Sequence, residues 1–182
     1  RIRNIDLSGV NQYINRGKWL YLQHDGNIYI TNVTARNRQI GIHLYGRSLS
    51  NNISHNDVSN ATLYGIFLDE INQFDPNNTL IGYNTITYVN LSGIYLEEAT
   101  GASIFNNDFS YTKTGLNITT STLNTNITNN TFFNNHWGVA IISGTGNTLY
   151  YNNFTNATKG FIDTVTGNYF NTTINWVAHG NY

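Results

Sequence analysis

Apolar and polar residues alternate along this chain in short bursts that return at a nearly constant interval. Residues 41–58 read GIHLYGRSLSNNISHNDV: a Gly-Ile-x-Leu segment, a polar stretch, then Ile-x-x-Asn-x-Val. The same order returns as GIFL and IGYNTI, GIYL and IFNNDF, GLNI and ITNNTF, and GVAI and LYYNNF. Counting from the first apolar residue of the second half, Ile53, Ile81, Ile104, Ile127 and Leu149 stand at position 0. Asn56, Asn84, Asn107, Asn130 and Asn152 stand at +3, and Val58, Ile86, Phe109, Phe132 and Phe154 at +5. Weaker copies put Ile5, Ser8 and Val10, then Ile28, Thr31 and Val33, and finally Thr172, Asn175 and Val177 on the same grid. The repeat therefore starts near residues 5, 28, 53, 81, 104, 127, 149 and 172, at intervals of 22–28, which predicts about eight turns of one domain over residues 1–182.

The segments are short, β-branched or aromatic, and alternate with polar residues. They predict strands, since no window holds an apolar helical stripe. Leucine-rich repeats share the period but not the Leu-x-x-Leu-x-Leu-x-x-Asn consensus. Asn-Gly, the strongest hairpin signal, never occurs, which favours parallel strands joined by long connections. Glycines 41, 65, 93, 115, 138 and 160 suit corners that need a positive φ or a close approach of backbones. Asparagine at +3 tolerates the left-handed region, and stacked amides form a hydrogen-bonded ladder. Residues at 0 and +5, and at +1 and +3 from each glycine, are expected to point inward.

This grid resembles the right-handed parallel β-helix proteins. Within them it is similar to the NosD-like group of archaeal and bacterial surface proteins, whose repeats recur as N-x-x-x-N-x-x-G-I-x-L. The resemblance spans about residues 4–177 and implies an all-β, right-handed parallel β-helix (β-solenoid) of an archaeal surface protein. For function it implies less, because such solenoids serve as lyases, hydrolases, adhesins and surface-layer components alike. The best-known member has a copper-linked role. Here there is no Met or Cys, and His24, His43, His55, His136 and His179 are scattered through the units, so no cofactor is expected.

Composition adds a location. The charged residues make up 10% of the chain, with a net charge of −1, against about a quarter in an ordinary domain. Nine basic residues against ten acidic ones build no face for nucleic acid, and no apolar run approaches a membrane span. Without cysteine the redox compartment stays open, and Arg1 in place of methionine points to a processed chain or an excised domain. The chain carries 32 Asn and 23 Thr, and eleven Asn-x-Ser/Thr triplets begin at Asn32, Asn52, Asn60, Asn77, Asn90, Asn117, Asn126, Asn129, Asn153, Asn156 and Asn171. No ladder asparagine is among them, because an inward apolar residue follows each by two. N-glycosylation of such triplets would keep a nearly uncharged surface in solution and implies an extracellular, cell-surface location.

Two consecutive units carry acid pairs, Asp69-Glu70 and Glu97-Glu98, on registers that a parallel sheet stacks together. They are candidates for Ca²⁺ or for sugar chemistry, with His43, Phe67 and Tyr95 in one outward column as an aromatic platform. The plainer reading is a solvated acidic edge beside an aromatic ladder. The family's lyases pair acidic calcium ligands with a basic proton abstractor, but no Lys or Arg lies between Arg47 and Lys113, so no catalytic residue is assigned. His55 and Asp57 with Asp108 are interrupted by Thr85. The loop around NQFDPNN reads as a surface insertion or a partner contact. Residues 1–47 hold seven of the nine basic residues and the remainder eight of the ten acids. With no capping helix legible, the expected function is a self-associating, end-to-end filament-forming structural or adhesive solenoid, with residues 5–10 of one copy meeting residues 172–177 of another. The alternative is a polysaccharide-binding or polysaccharide-cleaving, pectate-lyase-like module.

Overall fold

The computed structural model describes residues 2–3, 18–23, 28–46, 50–69, 78–170, 172–174, 177–179 and 181. Every regular element among them is a strand; parallel pairing gathers all but the last two into three sheets of seven, six and seven strands, and the last two pair with each other. One turn runs through Ser103–Phe105 in the first sheet, Asp108–Ser110 in the second and Thr114–Thr119 in the third. The next turn stacks on it in register, Ile104 against Ile127, Phe109 against Phe132 and Leu116 against Val139. This is the expected all-β parallel β-helix.

Among the described residues about five turns are seen, against the eight read from the sequence. Position 0 steps from Ile30 through Ile53, Ile81, Ile104 and Ile127 to Leu149, which is five turns. Position 0 of the early unit falls on Ile30, with Val33 at +3 and Ala35 at +5, rather than on Ile28, Thr31 and Val33. Both isoleucines lie on one face of a period-two strand, so a slip of two residues is invisible to patterning, and only the pairing decides it. Ile2 pairs with Ile30, while Ile5, Ser8 and Val10 lie outside the described residues. At the other end Thr148 bridges Tyr169, which puts Phe170 opposite Leu149. Thr172 does not open a further coil. Thr172–Ile174 pairs antiparallel with Val177–His179, the two strands being two residues apart as in a tight hairpin; Asn175 lies outside the described residues.

The core follows the repeat. Through the middle turns the residues at 0 and +5 and at +1 and +3 from the glycines, such as Ile81, Ile86, Ile94 and Leu96, are fully buried, whereas Phe154 and Phe161 of the last turn are not. Each such side chain contributes on the order of 1.5–3 kcal/mol of transfer free energy. The rings of Phe109, Phe132 and Phe154 stack at 4.8 and 4.9 Å through three turns. The repeat glycines from Gly41 to Gly138 serve close approach and not a positive φ: a Cβ on Gly65 would lie 2.5 Å from the carbonyl oxygen of Gly93.

At the bend after the first sheet the asparagines form the expected ladder, and all five are buried. The Asn84 side chain donates to Ile53 O at 2.9 Å and to Asn107 Oδ1 at 3.0 Å, while its backbone N–H donates to the same Oδ1 at 3.0 Å. Asn107 repeats this with Ile81 and Asn130. The left-handed residue of the bend is the one before each ladder asparagine, for example Tyr83 (φ 57°) and Asn106 (φ 52°). The amide is therefore placed by hydrogen bonding and not by backbone preference.

Candidate functional site

The face of the third sheet opposite the core carries three columns of side chains. The first runs Ile40, Tyr64, Ser92, Thr114, Trp137 and Lys159; the middle one runs His43, Phe67, Tyr95, Asn117, Ala140 and Ile162. The third holds Tyr45, Asp69, Glu97 and Thr119. Asp69 and Glu97 are thus neighbours on adjacent strands, about 4.8 Å apart along the sheet. Glu98 follows at a positive φ of 56°, and Glu70 lies outside the described residues. Burial, then Asp69, then Glu98 push the Glu97 carboxyl up from its ordinary value, against a hydrogen bond with Thr120 that lowers it.

The aromatic column exists in register but is not one flat platform. His43 is 1% exposed and stacks on Phe67 at 4.4 Å, with Nε2 3.5 Å from Asp69 Oδ2. Phe67 then meets Tyr95 edge to face at 78°, and the ring stacked on Tyr95 is Tyr64, from the first column, at 4.4 Å and 24°. Beside that pair, Ser92 and Thr114 are the small residues between Tyr64 and Trp137. They leave a cavity of about 150 Å³ lined by Tyr64, Leu91, Ser92, Tyr95, Lys113, Thr114 and Asn117. Burial, then Tyr95, then Glu97 push the Tyr64 hydroxyl up. Of this group the sequence singles out only Tyr95, as part of the aromatic column, and Asn117, as a triplet asparagine. The signal that was available is the small Ser92 and Thr114 one residue before their glycines, where Tyr64 and Trp137 carry large rings.

The triplet asparagines separate cleanly from the ladder. Asn32, Asn60, Asn90, Asn129, Asn153 and Asn156 are exposed, and Asn32, Asn60, Asn129 and Asn156 sit at bends with φ of 53–54°. Asn52, Asn117 and Asn126 are half-buried within strands, and Asn126 Oδ1 accepts from the Thr148 hydroxyl at 2.9 Å. Asn77 and Asn171 lie outside the described residues, as does most of the loop around Pro76.

Two structural groups escaped the sequence reading. Amides also stand two residues before position 0 at the two ends of that column, where the Ile28 N–H donates to Asn51 Oδ1 at 3.0 Å and the Asn147 N–H and side chain donate to Asn168 Oδ1, each at 3.0 Å, while Thr79, Ala102 and Thr125 hold the turns between. The main ladder also runs one step further than expected. Asn152 donates through its side chain to Asn181 Oδ1 at 3.1 Å, and Asn181 in turn donates to Leu149 O and Phe170 O, both at 2.9 Å. Asn181 occupies the ladder position of that coil.

With the columns, ladders and bends in place, the family model described as periplasmic copper-binding protein (NosD) matches residues 1–182. The chain belongs to the NosD family. No curated protein matches it. The family's description puts its members in the periplasm, and no helix among the described residues is long and apolar enough to cross a membrane. Among the described residues the copper of that description finds no matching donor set. Among the described residues no three His, Cys, Asp or Glu side chains converge: His43 lies on the third sheet, His55 stacks on Tyr83 at a bend, and His136 packs edge-on against Trp137. Asp69, Glu97 and Glu98 likewise do not close into a metal cluster. His55, Asp57 and Asp108 do not meet, since Thr85 separates the two aspartates and Asp57 is paired with Arg36.

Proposed function

We propose that this NosD-family chain is an N-glycosylated extracytoplasmic solenoid with a structural or adhesive role at the cell surface, and that it self-associates. One observation carries the reading: every described triplet asparagine is exposed or half-buried, whereas every ladder asparagine is buried. The same residue type is divided between a hydrogen-bonding role inside and an acceptor role outside. Glycans on the exposed acceptors would supply the hydration that few charges provide. Self-association draws support from the last turn, where Phe161 stands in register with the inward Val139 yet is 42% exposed, stacked on Phe170 at 4.5 Å. Because Thr172–Ile174 is taken up in a hairpin, the contact passes through Phe161 and Phe170 and not through a continuing parallel strand.

Glycopeptide mapping of protein from its native host is the test. Glycans on at least several of Asn32, Asn60, Asn90, Asn129, Asn153 and Asn156 are expected, and a native protein bare at all six overturns the reading. Electron microscopy of the same material tests assembly. Fibres that disappear in a Phe161→Asp variant support end contacts, and particles that stay single at high concentration refute them.

A further inference from the structure

The cavity beside Tyr64 and Tyr95 is more than a packing gap. Its wall is a stacked tyrosine pair, an apolar face of the kind that packs against sugar C–H groups, and its floor is polar. Ser92 and Thr114 are 3% and 8% exposed, and Asn117 Oδ1 is buried without a hydrogen-bond partner. A buried carboxamide oxygen left unsatisfied costs on the order of 1–3 kcal/mol, which a ligand hydroxyl reaching it on a small side-chain rotation would recover. Its volume, about 150 Å³, is far larger than one water needs and suits one six-membered ring with its substituents.

Charge then selects among rings. Lys113 lines the cavity, is exposed, and forms no ion pair among the described residues. The acids of this sheet stand at its other edge: Ser92 and Glu97 are the two ends of one strand, about 16 Å apart along it. The ammonium is therefore not neutralised by Glu97, and the cavity presents a cation at its rim, hydroxyls and an amide on its floor, and aromatic faces at its side. The geometry points to a binding site for one carboxylated pyranose, a hexuronate unit of an acidic polysaccharide, with its carboxylate at Lys113 and one ring face on Tyr64 and Tyr95. Glu97 acts on the Tyr64 hydroxyl, so the acid edge would repel a carboxylate placed at that side of the cavity and favours its placement at Lys113; the site performs no chemistry. It also requires that Asn117, although it heads an Asn-x-Thr triplet, stay free of glycan, because a sugar on that amide would fill the cavity.

The test titrates native protein with methyl β-glucuronide and methyl β-glucoside, read by saturation-transfer NMR and tyrosine fluorescence. The glucuronide is expected to bind about tenfold more tightly, a difference of about 1.4 kcal/mol. The exposed Lys113→Gln should fold normally and bring the two sugars level, while Asn117→Ala should weaken both. The proposal is overturned if neither sugar binds, if both bind wild type equally, if Lys113→Gln keeps the preference, or if peptide mapping finds a glycan on Asn117.

Discussion

The middle turns and the C-terminal turn solve the same problem with different chain lengths. In the middle, the ladder amide of Asn107 stands three positions after Ile104 at position 0. At the end, Asn181 stands eleven positions after Phe170, and the hairpin of Thr172–Ile174 and Val177–His179 fills the difference. The hydrogen bonds are nevertheless the same: Asn181 reaches Leu149 O as Asn130 reaches Ile104 O, both at 2.9 Å. What the fold holds constant is a carboxamide at a point in space. The spacing along the chain is the usual way to put it there, not a requirement.

Removing the amide from a middle turn should therefore have the largest effect. Asn107→Leu strands Ile81 O and the donors of Asn84 that converge on Asn107 Oδ1, and should cost about 3 kcal/mol in chemical denaturation. Asn181→Leu strands a comparable set of partners, the Asn152 donors with Leu149 O and Phe170 O, but at a half-buried site where water can replace the amide, and should cost about 1 kcal/mol, measured the same way. A result in which the two costs are equal would break the comparison. Deleting residues 172–179 sharpens it, since joining Asn171 to Gly180 restores a spacing of three between Phe170 and Asn181 and puts glycine at the left-handed position. That deletion should change stability by less than about 1 kcal/mol, because closing a shorter connection offsets lost hairpin contacts; a larger loss by calorimetry would show that the hairpin itself holds the end.

The smallest effect lies on the acid edge of the third sheet. Folding raises the Glu97 carboxyl, so the folded chain holds that proton more tightly than the unfolded chain does. The protonated form suits the fold at low pH, and this contribution is lost as pH rises through the folded value. Glu97→Gln should thus stabilise the protein above that value and lose its advantage below the ordinary carboxylate range. The gain should be about 0.3 kcal/mol or less, since the group is largely solvated and screened by salt. Thermal melts of both proteins across that range check the sign.

The strand class, the parallel winding, the inward set and the buried ladder from Asn56 to Asn152 were all legible in the sequence, because each repeats at a fixed offset and an inward apolar residue tolerates no polar substitute. The triplet asparagines could likewise be kept out of the core by arithmetic alone, since a serine or threonine at +5 would spoil it. Other features needed neighbours in space. Ile28 and Ile30 share a strand face, so only pairing with Ile53 told them apart. The terminal TTI and VAH segments fit the solenoid pattern locally, and their antiparallel pairing took them off the grid. The cavity at Tyr64, Ser92 and Asn117 joins residues from three turns, and whether it opens depends on which small side chain stacks beside which large one. Periodicity records what every turn must do to stack on the next, so the sequence by itself determined the solenoid. Register, chain ends and surface cavities depend on single residues meeting across turns, and those only the tertiary structure decided.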